Sequence, residues 1–275
     1  MKVIESISGL RALSLPKPVG LVPTMGYLHQ GHISLVKQAK VENKTVIVSI
    51  FVNPTQFGPK EDLASYPRDI PHDLAMLEQA GIDAVFVPSV TEMYPNRYDT
   101  WVEVENLQKH LEGASRPTHF KGVTTIVAKL FNIVAPDKAY FGQKDAQQLL
   151  VIKKMVRDLN MNLEVFACPT IREPDGLAMS SRNVYLTPEQ RKIAPVLYKS
   201  LQLARELYDY GERDADKIRA KMRSLIEKEP QGQIDYISIA DTETLTELSM
   251  IKGEVLVSLA VILGKPRLID NIVLA

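Results

Sequence analysis

The sequence of 275 residues contains a single cysteine, Cys168. One thiol excludes both an intrachain disulfide and a zinc site built from cysteines. Free cysteines are among the residue types most often found buried in protein interiors. We therefore expect Cys168 to act as a small apolar residue at the end of a buried strand.

The sequence also lacks an excess of charge of either sign, because 33 Lys and Arg residues balance 33 Asp and Glu residues. A general nucleic-acid-binding protein normally gathers an excess of basic residues on one face. The balance therefore favours small-molecule ligands and argues against a nucleic-acid partner. A local basic pocket is still compatible with it.

Long apolar runs are missing as well. The most apolar stretch, residues 255–263, is shorter than the roughly 20 residues that a membrane-spanning helix needs. Residues 1–6 lack the unbroken apolar run of a secretory signal peptide. We expect a cytoplasmic protein that has no membrane partner.

Strand and helix patterns alternate through the first two thirds of the chain. Apolar and β-branched runs predict strands over residues 19–23, 45–51, 84–87, 138–141 and 163–168. Helical spacing of apolar residues predicts helices over residues 33–41, 69–80, 124–134 and 146–159. This alternation predicts an α/β fold with a doubly wound, Rossmann-like parallel sheet. Ligands of such sheets bind beyond the carboxyl ends of the strands, where the strand order reverses.

The pattern changes after residue 171. Two long helices are predicted over residues 188–210 and 215–229, the first opened by Thr187 and Pro188. Strands follow over residues 234–240, 254–263 and 267–273, with the last two joined in a hairpin. We expect a Rossmann-like domain that binds the ligands over residues 1–171 and a smaller α+β domain over residues 172–275.

Two histidines bracket a glycine between the first predicted strand and the first predicted helix. The run reads Pro23-Thr24-Met25-Gly26-Tyr27-Leu28-His29-Gln30-Gly31-His32. The N-terminus of a helix attracts anions, and imidazoles there can donate hydrogen bonds to a triphosphate. Capping histidines or metal ligands are the alternatives, although the sequence shows no obvious third metal ligand. The position directly after the first strand favours phosphate binding.

Two further segments carry cations that suit phosphate oxygens. Lys144 follows the predicted strand that ends near Phe141, and Gln148 lies one helical turn beyond it. Arg182 closes the run Met179-Ser180-Ser181-Arg182, in which the serines add hydroxyl and backbone donors. Alone, residues 179–182 are more typical of a surface turn, and Lys144 with Asp145 is more typical of a solvated pair at the start of a helix. In combination with the two histidines, they favour a triphosphate site.

The His-x-Gly-His run resembles the nucleotide motif of the class I synthetase and nucleotidyltransferase superfamily, whose second ATP-binding loop corresponds here to residues 179–182. Ala178 and Ser181 stand where one form of that loop has lysines, so Lys144 would supply the missing charge. The whole set of motifs is similar to the pantothenate synthetase family, the AMP-forming pantoate–β-alanine ligases. The motifs lie at residues 23–32, 50–57, 65–69, 116–123, 141–148 and 179–182.

The resemblance implies that ATP, (R)-pantoate and β-alanine are converted to pantothenate, AMP and pyrophosphate through a pantoyl adenylate. It implies catalytic roles for His29, His32, Lys144, Ser180, Ser181 and Arg182. The ATP-binding set that it implies is Met25, His32, Gly142, Lys144, Asp145, Ile171, Met179, Ser180, Ser181 and Arg182. The residues that it implies for pantoate and β-alanine are Met25, Gln56, Gln148 and Asn53. Mg²⁺ would be bound through the phosphates of ATP, with no protein side chain assigned to it.

The resemblance also implies a homodimer, with Tyr66 and Arg116 near its interface and the mouth of the site. It makes the C-terminal domain, which carries Lys265, a candidate lid. The residues themselves leave three other functions open: a nucleotidyltransferase, a fragment of a class I aminoacyl-tRNA synthetase and a non-catalytic nucleotide sensor. Gln56, Gln148 and the second phosphate loop favour an enzyme that forms an acyl-adenylate.

Overall fold

A computed structural model describes residues 1–59 and 61–275 of the protein. The strands are β1 (Lys2–Ile4), β2 (Val19–Thr24), β3 (Thr45–Ile50), β4 (Ala84–Phe86), β5 (Lys138–Gly142), β6 (Glu164–Cys168), β7 (Gly232–Asp241), β8 (Val255–Leu263) and β9 (Arg267–Leu274). The helices are α1 (Ile7–Arg11), α2 (Gln30–Glu42), α3 (Ile70–Ala80), α4 (Val90–Met93), α5 (Leu111–Ser115), α6 (His119–Val134), α7 (Ala146–Asp158), α8 (Pro188–Ile193), α9 (Val196–Asp209) and α10 (Ala215–Ile226). The chain divides into two compact units, Met1–Gln143 with Gln147–Pro169 and Lys144–Ala146 with Thr170–Ala275.

The first unit is built on a six-stranded parallel sheet in the order β1-β4-β3-β2-β5-β6. β3 is buried along its whole length, as expected for a β-branched strand covered on both faces. The predicted doubly wound, Rossmann-like fold is confirmed. The strand order reverses between β2 and β5, so the carboxyl ends of these two strands flank the place where such sheets bind ligands.

Local sequence signals explain where the helices of the first unit begin and end. The side chain of Asp69 caps the N-terminus of α3, and Gly81 ends the helix in the left-handed conformation at φ 68°. α6 begins at His119, five residues before the predicted start at residue 124. Gly122 weakened the helical pattern, but the fold needs it, because a Cβ there would lie 2.5 Å from the carbonyl group of Thr55.

Cys168 is buried at the end of β6, as predicted. The prediction missed β1 and α1, which are three and five residues long and too short for a clear periodicity. None of the helices in the described part of the chain is long and apolar enough to cross a membrane.

The second unit contains the antiparallel sheet β7-β8-β9, in which β8 and β9 form the predicted hairpin. The helix predicted over residues 188–210 is wrong as a continuous element, because the structure has the separate helices α8 and α9. Pro195 lies between them, and its ring has no N–H for the hydrogen bond that would continue α8. Thr187 and Pro188 open α8 with a capping box, as the sequence indicates.

A buried ion pair ties the start of the second unit to its sheet. The guanidinium of Arg172 donates to both carboxylate oxygens of Asp270 on β9, at 2.6 and 2.9 Å. The carboxylate is 2% exposed, and the guanidinium lies 3.8 Å from the ring centre of Tyr198 on α9. Such a pair is costly to break on one side, because the remaining charge is left buried without compensation.

We predict that Arg172→Met lowers the free energy of unfolding of the second unit by about 3–5 kcal/mol, because the Asp270 carboxylate loses its partner. Urea unfolding followed by circular dichroism measures the change. Lys154→Met is the control, since it removes only a partly exposed pair with Asp158, worth about 0.5 kcal/mol. Equal, small effects of both substitutions would contradict the role of the Arg172–Asp270 pair.

Candidate active site

The loop after β2 carries the two histidines into the first turn of α2. His29 is the N-cap residue, and its Nδ1 accepts a hydrogen bond from Gly31 N at 3.1 Å. His32 Nδ1 accepts from His29 N at 3.2 Å, and the two ring centres are 4.1 Å apart. Since each Nδ1 accepts, each neutral ring carries its proton on Nε2. The two histidines therefore cap the helix, which was one alternative to phosphate binding. The same hydrogen bonds leave their Nε2–H groups as donors at the start of the helix.

A buried carboxylate on α3 holds the same loop. Asp73 accepts hydrogen bonds from Tyr27 N at 2.8 Å and from Leu28 N at 2.7 Å. Gly26 and Tyr27 both take left-handed backbone conformations, at φ 82° and 51°. Burial raises the pKa of Asp73, although the bonds from Leu28 and Tyr27 oppose the shift. Asp73 was not predicted from the sequence, because an acidic residue inside a predicted helix is usually solvated.

Three of the residues expected to bind pantoate lie in contact in the first unit. Gln56 Nε2 is 3.0 Å from Met25 Sδ, and Asn53 Nδ2 donates to Gln56 Oε1 at 3.2 Å. Asn53 and Gln56 are 1% and 7% exposed, so their amide groups depend on protein partners. Gln148 lies half-buried in the first turn of α7.

Arg116 and His119 hold the backbone beneath Gln56. His119 Nδ1 lies 2.9 Å from Gln56 O, and a carbonyl only accepts, so Nδ1 carries the proton. Nε2 then accepts from Arg116 Nη1 at 3.2 Å, and the same guanidinium donates to both carboxylate oxygens of Glu61. Burial first, and the charge of Arg116 second, lower the pKa of His119 from 6.5 to about 4.

No role was predicted for His119 from the sequence, although it lies in the motif at residues 116–123. The usable signal was the spacing of Arg116 and His119, three residues apart where a helix begins. Tyr66, named with Arg116, is buried, with its ring 5.8 Å from that of Phe57.

The residues after β5 form a 3₁₀ turn over Gln143–Asp145, directly beyond Gly142. Lys144 Nζ lies 3.5 Å from Asp145 Oδ1. The carbonyl of Lys144 accepts from Asn271 Nδ2 at 2.8 Å, which ties this short segment to β9 within the second unit. Lys144 is therefore held through its backbone, while its side chain stays partly accessible.

A second group of the expected ATP-binding residues lies in one loop of the second unit. Met179 N donates to Ile171 O at 2.9 Å, which closes the loop between them. Ser180 caps the 3₁₀ turn Ser181–Tyr185, and its Oγ accepts from Arg182 N at 3.3 Å. Ser181 is buried, and Arg182 is half-buried. The structure therefore brings Ile171 together with the run 179–182.

The sheet order, with two imidazole donors at a helix N-terminus beside the point of reversal, defines a nucleotide-binding α/β protein with a Rossmann-like fold. In residues 1–59 and 61–275, no group of three or more His, Cys, Asp or Glu side chains is arranged to hold a metal ion. A family model described as pantoate-beta-alanine ligase matches residues 2–273. The chain belongs to the pantoate–β-alanine ligase family.

Individual relatives match the chain over nearly its full length. It is similar to the pantothenate synthetase of Acetivibrio thermocellus, with 58% identity over 278 residues and 99% of each chain covered. The crystal structure of pantothenate synthetase from Thermus thermophilus has a TM-score of 0.96 at 49% identity, again with 99% of each chain covered. The pantoate–β-alanine ligase of Francisella tularensis, solved with β-γ ATP and β-alanine, has a TM-score of 0.81 at 37% identity and covers 99% of this chain and 97% of its own.

We predict that Asp73→Asn loosens the β2–α2 loop. The backbone N–H of either Tyr27 or Leu28 would then face the amide N–H of the new asparagine instead of a carboxylate oxygen. The expected loss is about 1–3 kcal/mol for an unsatisfied buried donor. Faster amide hydrogen exchange at Tyr27 and Leu28 reports it. Asp69→Asn on the same helix is the matched control, since Asn caps a helix as well as Asp. Unchanged exchange in Asp73→Asn would contradict the role of this carboxylate.

The lowered pKa of His119 predicts a loss of stability in acid. Above pH 6.5 the ring is neutral in both the folded and the unfolded chain. Between pH 6.5 and about 4, only the unfolded chain binds the proton, so the free energy of unfolding falls as the pH falls. The loss reaches about 3 kcal/mol near pH 4, from 1.36 kcal/mol per pKa unit.

His119→Asn lacks this titration and keeps a donor near the position of Nδ1. The difference in stability between the protein and this variant should therefore shrink by about 3 kcal/mol from pH 7 to pH 4. Urea unfolding at a series of pH values measures it. Parallel pH profiles for the two proteins would show that His119 titrates normally.

Proposed function

We propose that the protein condenses (R)-pantoate with β-alanine, using ATP, to give pantothenate, AMP and pyrophosphate. The observation that carries the proposal is the match of residues 2–273 to the pantoate–β-alanine ligase family. The Francisella tularensis relative, solved with β-γ ATP and β-alanine, supports ATP and β-alanine as substrates. The histidine pair at the sheet reversal and the Met25–Gln56 contact supply groups suited to the phosphates and to the acid.

In the first half-reaction, the pantoate carboxylate attacks the α-phosphorus of ATP. An O–P bond forms to the acid, the bond between the α-phosphorus and the bridging oxygen breaks, and pyrophosphate leaves with that electron pair. The Nε2–H groups of His29 and His32 are donors suited to the charge that grows on the phosphate oxygens. Their backbone bonds keep them in place before ATP binds, so little reorganisation is needed during the reaction.

Further donors in the proposal come from the segments that begin the second unit. Lys144, Ser180, Ser181 and Arg182 would bind the phosphates, as the family resemblance implies. Gly142 and Asp145 would contact the nucleoside and its ribose, and Met25, Ile171 and Met179 complete the ATP-binding set. Mg²⁺ would enter as the metal of the Mg–ATP substrate, bound through phosphate oxygens.

Gln56 and Gln148 would bind hydroxyl and carboxyl oxygens of pantoate, while Met25 would contact its gem-dimethyl group. Asn53 belongs to the same pocket in the proposal. The side chain of Gln56 is buried against Met25, which supports a small, largely apolar pocket with a few fixed polar groups. Such a pocket suits a branched hydroxy acid.

In the second half-reaction, the amine of β-alanine attacks the acyl carbon of the adenylate. A C–N bond forms, the bond from the acyl carbon to the AMP oxygen breaks, and the amine loses a proton. Both nucleophiles belong to the substrates, so the protein contributes alignment, which is worth roughly 7–11 kcal/mol of a barrier. The proposal also includes a homodimer, which the family resemblance implies, and the cytoplasmic location expected from the sequence.

The reaction predicts exchange of labelled pyrophosphate into ATP that requires pantoate, followed by AMP release when β-alanine is added. His32→Ala and Lys144→Ala should each slow adenylate formation about a hundredfold or more, the cost of one preorganised donor. His72→Ala and Lys153→Ala, which change exposed residues of the same types, are the controls. Stable transfer of the nucleotide to a product, without AMP release, would identify a nucleotidyltransferase instead. Near-normal rates in both site variants would contradict the proposed roles.

A further inference from the structure

The hydrogen bonds around Asn53 determine which way the amide of Gln56 faces. Asn53 Nδ2 lies 3.1 Å from Gly122 O, and a carbonyl oxygen only accepts. The nitrogen of Asn53 is therefore the atom on that side. Its oxygen faces the hydroxyl groups of Tyr94 and Thr55, each at 2.9 Å.

The second N–H of the same nitrogen meets the side chain of Gln56 at 3.2 Å. An N–H needs an acceptor there, so the oxygen of Gln56 faces Asn53 and its nitrogen faces away. Gln56 Nε2 then lies 3.0 Å from Met25 Sδ, and a thioether sulfur is a weak acceptor. The buried N–H of Gln56 therefore donates to a weak acceptor, the sulfur of Met25, and an oxygen of a ligand would readily replace that sulfur.

The backbone of Gln56 is held as firmly as its side chain. His119 Nδ1–H donates to Gln56 O, and Gly122 approaches Gln56 N so closely that a Cβ would lie 2.6 Å from it. The 3₁₀ turn Pro54–Gln56 is therefore clamped against the first turn of α6. Neither rotation of the amide nor movement of the turn is available at low cost.

We propose that Asn53 is a positioning residue that fixes Gln56 as a hydrogen-bond donor to an oxygen of the acid substrate. Both N–H groups of Asn53 and its oxygen are already engaged, so it acts on the acid through Gln56. This inference rests on the proposed function, and it deepens that function by assigning the polarity of the acid pocket. The group that binds at Gln56 must accept a hydrogen bond.

Two substitutions at Gln56 separate a donor from an acceptor, with the Michaelis constant for pantoate measured by AMP release at pH 8. Gln56→Met removes the donor without adding charge and should raise this constant about tenfold, the worth of one hydrogen bond. Gln56→Glu keeps an oxygen for Asn53 but presents a second oxygen to the acid, so the constant should rise about tenfold further. The Michaelis constant for ATP should stay within about twofold in both variants.

A lower Michaelis constant for pantoate in Gln56→Glu than in Gln56→Met would overturn the inference. If Gln56 accepted from a substrate hydroxyl, Glu would serve as well, and Gln56→Glu would bind pantoate more tightly than Gln56→Met. AMP release by the unaltered protein is measured first and must require both pantoate and β-alanine. Its absence would reject the proposed function, whereas its presence with the opposite order would reject only the polarity of Gln56.

A substitution at Asn53 tests the positioning role directly. Asp at this position cannot donate to Gln56 Oε1, so it would draw Gln56 Nε2 towards itself and turn the oxygen into the pocket. Asn53→Asp should raise the Michaelis constant for pantoate at least about tenfold and leave that for ATP within about twofold. Asn132→Asp, the same change at an exposed position of α6, is the matched control. An unchanged constant for pantoate in folded Asn53→Asp would overturn the inference; if that variant does not fold, the order at Gln56 decides.

Discussion

The two hydrogen bonds from the β2–α2 loop to the buried carboxylate of Asp73 are the interaction on which the proposed phosphate-binding part of the first unit depends. They hold Tyr27 and Leu28 directly before His29, and Tyr27 takes a left-handed backbone conformation that needs support. The N-terminus of α2 begins at this fixed point, and the two imidazoles cap it. Asp73 on α3, which is not itself one of the donors, therefore determines where the imidazole N–H groups of His29 and His32 lie.

A second group of buried polar side chains holds Gln56 in place, as Asp73 holds the β2–α2 loop. Burying an unpaired amide costs about 1–3 kcal/mol, so a cluster of this kind is stable only when its partners are matched. Asn53, Tyr94, Thr55 and His119 pair with one another or with backbone carbonyls, and such a satisfied network is rigid. Within this network, the one donor with a weak acceptor is Gln56 Nε2, which contacts the sulfur of Met25. The least satisfied donor of the network is thus the one that faces the proposed acid.

The sequence was informative where one local pattern determined the outcome. Alternating β-branched strands and amphipathic helices predicted the parallel sheet, and the position of His29 and His32 after the first strand placed both at the start of the first helix. Pro195 was a readable signal for the break between α8 and α9, but the predicted helix ran through it. Asp73 could not be found in this way, because its partner Leu28 lies 45 residues away. The spacing of Arg116 and His119 is a local signal for their contact, but only the fold brings His119 to the carbonyl of Gln56, 63 residues away. The role of Asn53 likewise cannot be predicted from the sequence, because its partners Gly122 and Tyr94 come close to it only in the folded chain.

The choice of a neutral amide at the acid pocket follows from the chemistry proposed for it. The pantoate carboxylate must remain a nucleophile, and a cation held against it would stabilise the ground state and lower its reactivity. A neutral N–H can orient an oxygen of the acid while withdrawing little charge from the attacking group. Cations belong instead at the phosphates, where negative charge grows in the transition state. The proposed division, with amides for the acid and imidazole, ammonium and guanidinium groups for the triphosphate, then follows from the reaction itself.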